Sequence, residues 1–224
     1  MGSANLALST LPSSPLLGQT AVRPAAVWKT ALFIAGLTPA GVLLVRAVTD
    51  DLTANPIEFV THWTGDWTLR FLLIVLAITP LRRLTGLRSL SQVRRMLGLF
   101  AFFYGTLHLL TFVVLDYFFV FSLMLEEIAN HLFIIAGLLG FVLLIPLAVT
   151  SNQAMMRRLG GRRWRLLHRL VYVSAIAGVV HYTAMSKIDV RRPLAYGAVL
   201  AALLAFRVWH SYRGLARGII TGRP

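Results

Sequence analysis

The sequence predicts an all-α, polytopic membrane protein, and three observations carry that prediction. The first is composition. Of 224 residues, 57% are hydrophobic and 13% are charged, with a mean hydropathy of +0.73. A soluble domain carries about 25% charged residues. The second is segmentation into six apolar stretches, each long enough, alone or with its flanks, to cross a bilayer. The third is the placement of charge. Lys and Arg number 22 against 8 Asp and Glu, a net charge of +14. The arginines sit in alternate short loops, which is the positive-inside pattern rather than a nucleic-acid footprint. No cysteine is present, which removes disulfides, iron–sulfur clusters and thiolate chemistry.

Taken in order, residues 1–25 read as a flexible N-terminal tail without the charged start and compact apolar run of a signal peptide. The transmembrane domain spans residues 26–213, and residues 214–224 form a short C-terminal tail. The six segments are Ala26–Val48, Trp67–Leu81, Met96–Phe121, His131–Thr150, Leu166–Met185 and Pro193–Trp209. The second is short and gains length from the interfacial HWTGDW. The loop before the third holds Arg82, Arg83, Arg88, Arg94 and Arg95. The loop before the fifth holds Arg157, Arg158, Arg162, Arg163 and Arg165, and the C-terminal end holds Arg213, Arg217 and Arg223. The opposite loops hold Asp50, Asp51, Glu58, Asp66, Glu126 and Glu127, with fewer basic residues (Lys187, Arg191, Arg192). An even number of spans with both termini cytoplasmic follows.

Depth sorts the six histidines. His62, His131 and His210 lie near segment ends, where polar and aromatic side chains favour the interface. His108 and His181 lie 13 and 16 residues past Arg95 and Arg165, on segments running in the same direction. At 1.5 Å per residue both fall about 20–24 Å from the arginine-rich edge. Each imidazole either hydrogen-bonds a neighbouring helix or the two clamp a haem iron from its two faces; a depth-matched pair favours the clamp. His168 lies near the arginine-rich side, with Arg95 and Met96 at its depth on the third segment. Thirteen residues at 100° each turn His168 about 220° from His181 on an ideal helix, so a local irregularity is needed to align them. Tyr104 and Thr111 flank His108 by a turn and either touch a macrocycle or pack. Gly105 and Gly178 make room for a flat cofactor or for close helix approach. Arg169 pairs with a propionate or phosphate, or snorkels to lipid. No P-loop, GxGxxG, HExxH or catalytic triad is present.

The stretches RRMLGLFAFFYGTLHLLTF, TSNQAMMRRLGGRRWRLLHRLVYVSAIAGVVHY and HWTGDWTLRFLLIVLAITPLRR resemble the MsrQ (YedZ) family, over about residues 26–213. The resemblance implies a six-helix protein of the ferric-reductase-like transmembrane superfamily in the bacterial inner membrane. It implies haem b, one or two per chain, with electrons taken from the quinone pool or from a cytosolic flavin reductase by way of FMN. The implied acceptor is MsrP, a periplasmic molybdopterin enzyme that repairs oxidised methionine and itself carries the sulfoxide chemistry. The family's haem histidines fall on His108, His168 and His181. Two-haem members of the superfamily carry two histidines on the third helix, where this chain has His108 alone. The rival functions are a stand-alone ferric reductase or superoxide-generating oxidase on the same scaffold, and a non-redox adaptor or transporter.

Overall fold

Helix α2 (Pro56–Thr85) is the axis of the bundle, touching α1 (Pro24–Val48), α3 (Leu90–Leu110), α8 (Leu170–Met185) and α9 (Arg191–Thr221). The computed structural model describes residues 24–87, 89–186 and 189–221. The N-terminal tail up to residue 23, Arg88, Lys187 and Arg223, with the side chain of Arg217, lie outside the described residues. Two helix pairs make the centre: α2 against α3, and α5 (Leu132–Val149) against α8. Short helices α4 (Phe121–Asn130), α6 (Gln153–Leu159) and α7 (Gly161–Leu167) join the longer ones. Every regular element among the described residues is helical. In hydrocarbon each backbone group must find its partner within the chain, and helices meet that demand locally.

Among the described residues, five helices are long and apolar enough to cross a membrane: Val27–Val48, Pro56–Thr85, Gln92–Asp116, Leu132–Val149 and Arg191–Arg213. They coincide with five of the six expected segments. The remaining one, the fifth, falls on α8, whose 16 residues make about 24 Å of helix. Its expected start at Leu166 lies in α7 instead, because the chain turns at His168 and Arg169 between the two helices.

Other boundaries differ from expectation: α3 starts at Leu90 rather than Met96, α9 runs to Thr221 rather than ending at Trp209, and two further differences have a visible local cause. The second segment starts at Pro56 rather than Trp67. The Asn55 side chain caps the Glu58 N–H at 3.3 Å, and Pro56 stands at the first helical position, where its missing N–H costs nothing. The polar HWTGDW is therefore inside the helix, where Trp63 Nε1 donates to the Pro39 carbonyl of α1 at 3.0 Å. The third segment does not run unbroken to Phe121. After Leu110 it passes into a π-helical turn, Thr111–Asp116, and the Thr111 hydroxyl donates to the His108 carbonyl at 2.7 Å. Phe118 and Phe119 then take left-handed backbone angles, φ 46° and 62°, which end the helix.

The core follows the two central pairs. Phe71, Leu72, Val75 and Ile78 of α2 pack with Val93, Leu97, Phe100, Ala101 and Tyr104 of α3 and with Leu144 and Leu147 of α5. Leu73 and Leu76 turn the other way, toward Ala175 of α8 and Leu200 of α9. The outward faces are apolar too. On α5, Leu132, Ile135, Leu139, Val142, Ile145 and Val149 recur every three or four residues and are all exposed, the stripe a lipid-facing helix presents.

Two proline-containing turns are repaired by side chains from elsewhere. Pro80 has no N–H to give the Leu76 carbonyl. Arg207 Nη2 of α9 donates to that carbonyl instead, at 2.8 Å. In α1, beside Pro39, the Tyr104 hydroxyl stands in the ladder itself. It accepts from Ala40 N–H at 3.0 Å and donates to the Gly36 carbonyl at 2.9 Å. Tyr104 is completely buried, stacked on Phe71 and tilted against Trp67. Of its two expected roles it takes packing, as does Met96 against the same core.

Candidate functional site: a histidine-faced cleft

Between the two central helix pairs lies a partly open cleft, with about 690 Å³ of space counting its open mouth. His108 of α3 and His181 of α8 both line it, their ring centroids 5.9 Å apart and their planes at 74°. The depth match read from residue spacing is thus a real proximity.

Each histidine is held by the same device. His108 Nδ1 donates to the Thr61 carbonyl of α2 at 3.0 Å, and His181 Nδ1 donates to the Phe133 carbonyl of α5 at 2.7 Å. A carbonyl oxygen only accepts, so in both rings Nδ1 carries the hydrogen and Nε2 keeps its lone pair. The residue four beyond each carbonyl is a glycine. A Cβ on Gly65 would lie 3.1 Å from His108 Cε1, and one on Gly137 would lie 2.8 Å from His181 Nδ1. Only the absence of a side chain lets the imidazole come down onto the neighbouring helix and reach its carbonyl. Hydrogen bonds of this kind from the second ring nitrogen fix the tautomer and raise the basicity of metal-binding imidazoles.

Gly65, Gly105, Gly137, Gly140 and Gly178 all line the cleft. Gly105 and Gly178 stand out in the sequence as small residues near histidines. Gly65, Gly137 and Gly140 carry no signal there that separates them from ordinary helix-contact glycines. The resulting walls are mostly apolar, with Leu69, Leu72, Phe141 and Leu144 among them. Polar groups collect toward one end: His62, Asp66 and Tyr182. Asp66 is ion-paired to Arg70 at 3.1 Å, and Arg70 Nε donates to the Tyr196 hydroxyl at 2.9 Å. The Thr61 hydroxyl is buried and has no hydrogen-bond partner among the described residues.

This donor set suits one kind of metal group. Among the described residues no three His, Asp or Glu side chains converge, so a bare ion would find too few ligands. Two neutral imidazoles from different helices, lining one cleft with centroids 5.9 Å apart, suit an iron whose other ligands come from a macrocycle. The residues therefore fit a haem held by His108 and His181.

His168 does not reach the cleft. It lies in the turn between α7 and α8, its ring stacked on Trp164 at 3.9 Å between centroids. The Thr150 hydroxyl donates to the Pro146 carbonyl at 2.6 Å. His168 Nε2 lies 3.1 Å from that same oxygen and so acts as the donor, the reverse of the arrangement at His108 and His181. The turn also removes the angular mismatch with His181, since the two residues no longer share a helix. Arg169 is exposed beside it. His131 pairs with Glu127 at 3.1 Å, His62 approaches Glu58 at 3.7 Å, and His210 stacks on Phe206.

Residues 64–179 match the family described as ferric reductase like transmembrane component. The match contains His108 and His168 and ends two residues before His181. Curated relatives extend the likeness over most of the chain. The protein-methionine-sulfoxide reductase heme-binding subunit MsrQ of Herminiimonas arsenicoxydans is 52% identical over 187 residues, covering 83% of this chain and 86% of its own. Those of Ralstonia nicotianae and Bordetella parapertussis are 50% and 46% identical, covering 87% and 92% of this chain and 90% and 100% of their own.

The chain belongs to the MsrQ family. It is a multi-pass membrane protein of ferric-reductase-like type, and the MsrQ likeness spans both central helix pairs and both cleft-facing histidines. In MsrQ terms the cleft is built by four helices, with α1 and α9 packed outside them.

Proposed function

We propose that the chain is the haem b electron-transfer subunit of a methionine-sulfoxide reductase system, with His108 and His181 as axial ligands. The observation that supports this most is the shared device: two imidazoles on facing helices, each locked with Nε2 free, across a glycine-walled slot. When bound, haem b supplies a one-electron redox centre. The protein's part is to hold the two rings, to exclude water with Leu69, Leu72, Phe141 and Leu144, and to set ligand basicity through the Thr61 and Phe133 carbonyls. With a histidine from each of two helices available to hold a haem, the site would favour electron transfer over oxygen binding.

In this reading the arginine-rich end faces the cytoplasm, and α8 completes six spans in the bacterial inner membrane with both termini inside. Reducing equivalents enter near His168 and Arg169, from quinol or from a cytosolic flavin reductase through FMN. The acceptor is a periplasmic MsrP-type molybdoenzyme docked near α4 and the α1–α2 loop. His168 serves the entry side, as a ligand of a second haem or as part of the donor site.

A dithionite-reduced minus oxidised spectrum of the purified chain, with haem quantified, tests the assignment. A low-spin b-type spectrum is expected, abolished in His108→Ala and in His181→Ala and retained in His168→Ala for the haem in this cleft. A full haem complement in both of the first two variants would overturn it.

A further inference from the structure

All eight carboxylates of the chain lie toward one end. They are Asp50, Asp51, Glu58, Asp66, Asp116, Glu126, Glu127 and Asp189. Asp66, the farthest along α2, is still 13 residues from Thr79, about 20 Å along the axis. At Thr79 two arginines from different helices meet. Arg94 Nη2 of α3 donates to the Thr79 hydroxyl at 2.9 Å, and Arg207 Nη2 of α9 donates to the same oxygen at 3.2 Å. Arg207 also donates to the Tyr172 hydroxyl of α8 and to the Leu76 carbonyl.

Two like charges gathered on one neutral oxygen repel each other, more so away from bulk water. Neither has a carboxylate partner among the described residues. Arg82 and Arg83, three and four residues past Thr79 on α2, add to the same face. The Arg207 Nε–H is buried and has no acceptor among the described residues, and Arg94 has a single side-chain hydrogen bond among them for its five donors. The site has donors in excess and no counter-charge of its own.

We infer that Arg94 and Arg207 bind the phosphodiester of an anionic phospholipid headgroup in the notch between α2, α3 and α9. A guanidinium fork matches two phosphate oxygens. Basic pockets between transmembrane helices are suited to anionic headgroups. The surroundings point to lipid rather than to a soluble phosphate. Leu81 and Leu84 of α2 and Val208, Trp209 and Tyr212 of α9, all within five residues of Thr79 or Arg207, are exposed, giving acyl chains apolar surface at the same depth. Arg213 covers Trp209 at 4.6 Å, an aromatic–cation pairing at home in the interfacial layer. A zwitterionic headgroup brings its own cation and leaves the excess charge in place.

The test is lipid retention by the intact chain, delipidated in a non-ionic detergent and read by native mass spectrometry with dioleoylphosphatidylglycerol or dioleoylphosphatidylethanolamine added. Retention of phosphatidylglycerol over phosphatidylethanolamine is expected, with affinity falling about fivefold in Arg94→Gln and again in Arg207→Gln. Substituting Arg157 and Arg158 of α6 by Gln leaves it unchanged. Arg94→Gln removes one exposed side chain and keeps the repair at Leu76, so it decides the question even where Arg207→Gln fails to fold. Equal retention of the two lipids, wild-type affinity in Arg94→Gln, or displacement by millimolar inorganic phosphate or FMN would overturn the inference.

Discussion

The two ends of the bundle hold their histidines in opposite ways. At the acidic end, His108 and His181 each donate Nδ1 to a neighbouring carbonyl and turn Nε2 into a common cleft. At the arginine-rich end, His168 spends Nε2 on Thr150 and lies flat against Trp164 in a turn. One end is a pair of rings fixed by regular helices and by glycines placed four residues past the accepting carbonyls. The other is a single ring among cations, on an irregular connection. Rigid placement belongs with a bound prosthetic group, and an irregular cationic rim belongs with ligands that come and go.

The comparison breaks most sharply at the two cleft histidines. His108→Ala and His181→Ala are expected to abolish the cleft's haem signal, whereas His168→Ala leaves it; an identical loss in all three by optical spectroscopy would erase the distinction between the ends. The glycines come next. Gly137→Ala puts a methyl 2.8 Å from His181 Nδ1, and overpacking of this kind costs about 1–3 kcal/mol. It should lower haem occupancy and shift the reduction potential. Gly65→Ala, at 3.1 Å from His108, should do so less, and Gly178→Ala, 3.5 Å from Leu69, least. Redox titration with haem quantification reads that order.

At the arginine end, Arg207→Met strands the Leu76 carbonyl, for about 1–3 kcal/mol. Pro80→Ala restores the intrahelical donor, so the double variant should recover much of the loss in a thermal-unfolding double-mutant cycle. Strict additivity would refute the proline-repair account. The smallest effect is at the cap of α2. Asn55→Ala should cost about 1 kcal/mol in the same assay, with the cleft's spectrum unchanged.

Much of this was legible in the residues, for identifiable reasons. A regular helix converts spacing into depth, so Arg95 to His108 and Arg165 to His181 placed two imidazoles level before any contact was known. The start of α2 was legible in principle, in Asn55-Pro56 followed by Glu58, but the polar HWTGDW masked it by resembling an interface. The turn at His168 was foreshadowed only as an angular mismatch. Gly65 and Gly137 were beyond reach, because their role depends on which carbonyl lies four residues back and which ring approaches it. The same holds for Thr79, an ordinary helix threonine until two arginines from distant segments meet on it.

The Tyr104 hydroxyl inside the α1 ladder has a consequence for the order of assembly. Helix α1 leaves the ribosome before α3, yet the Gly36 carbonyl and the Ala40 N–H are bridged by a side chain of α3. Before α3 docks, the Ala40 N–H and the Gly36 carbonyl have only each other, the ordinary pairing four residues apart. Once more than sixty further residues are made, the Tyr104 phenol inserts between them and replaces one bond by two, so the backbone of α1 takes its final form only with α3 in place.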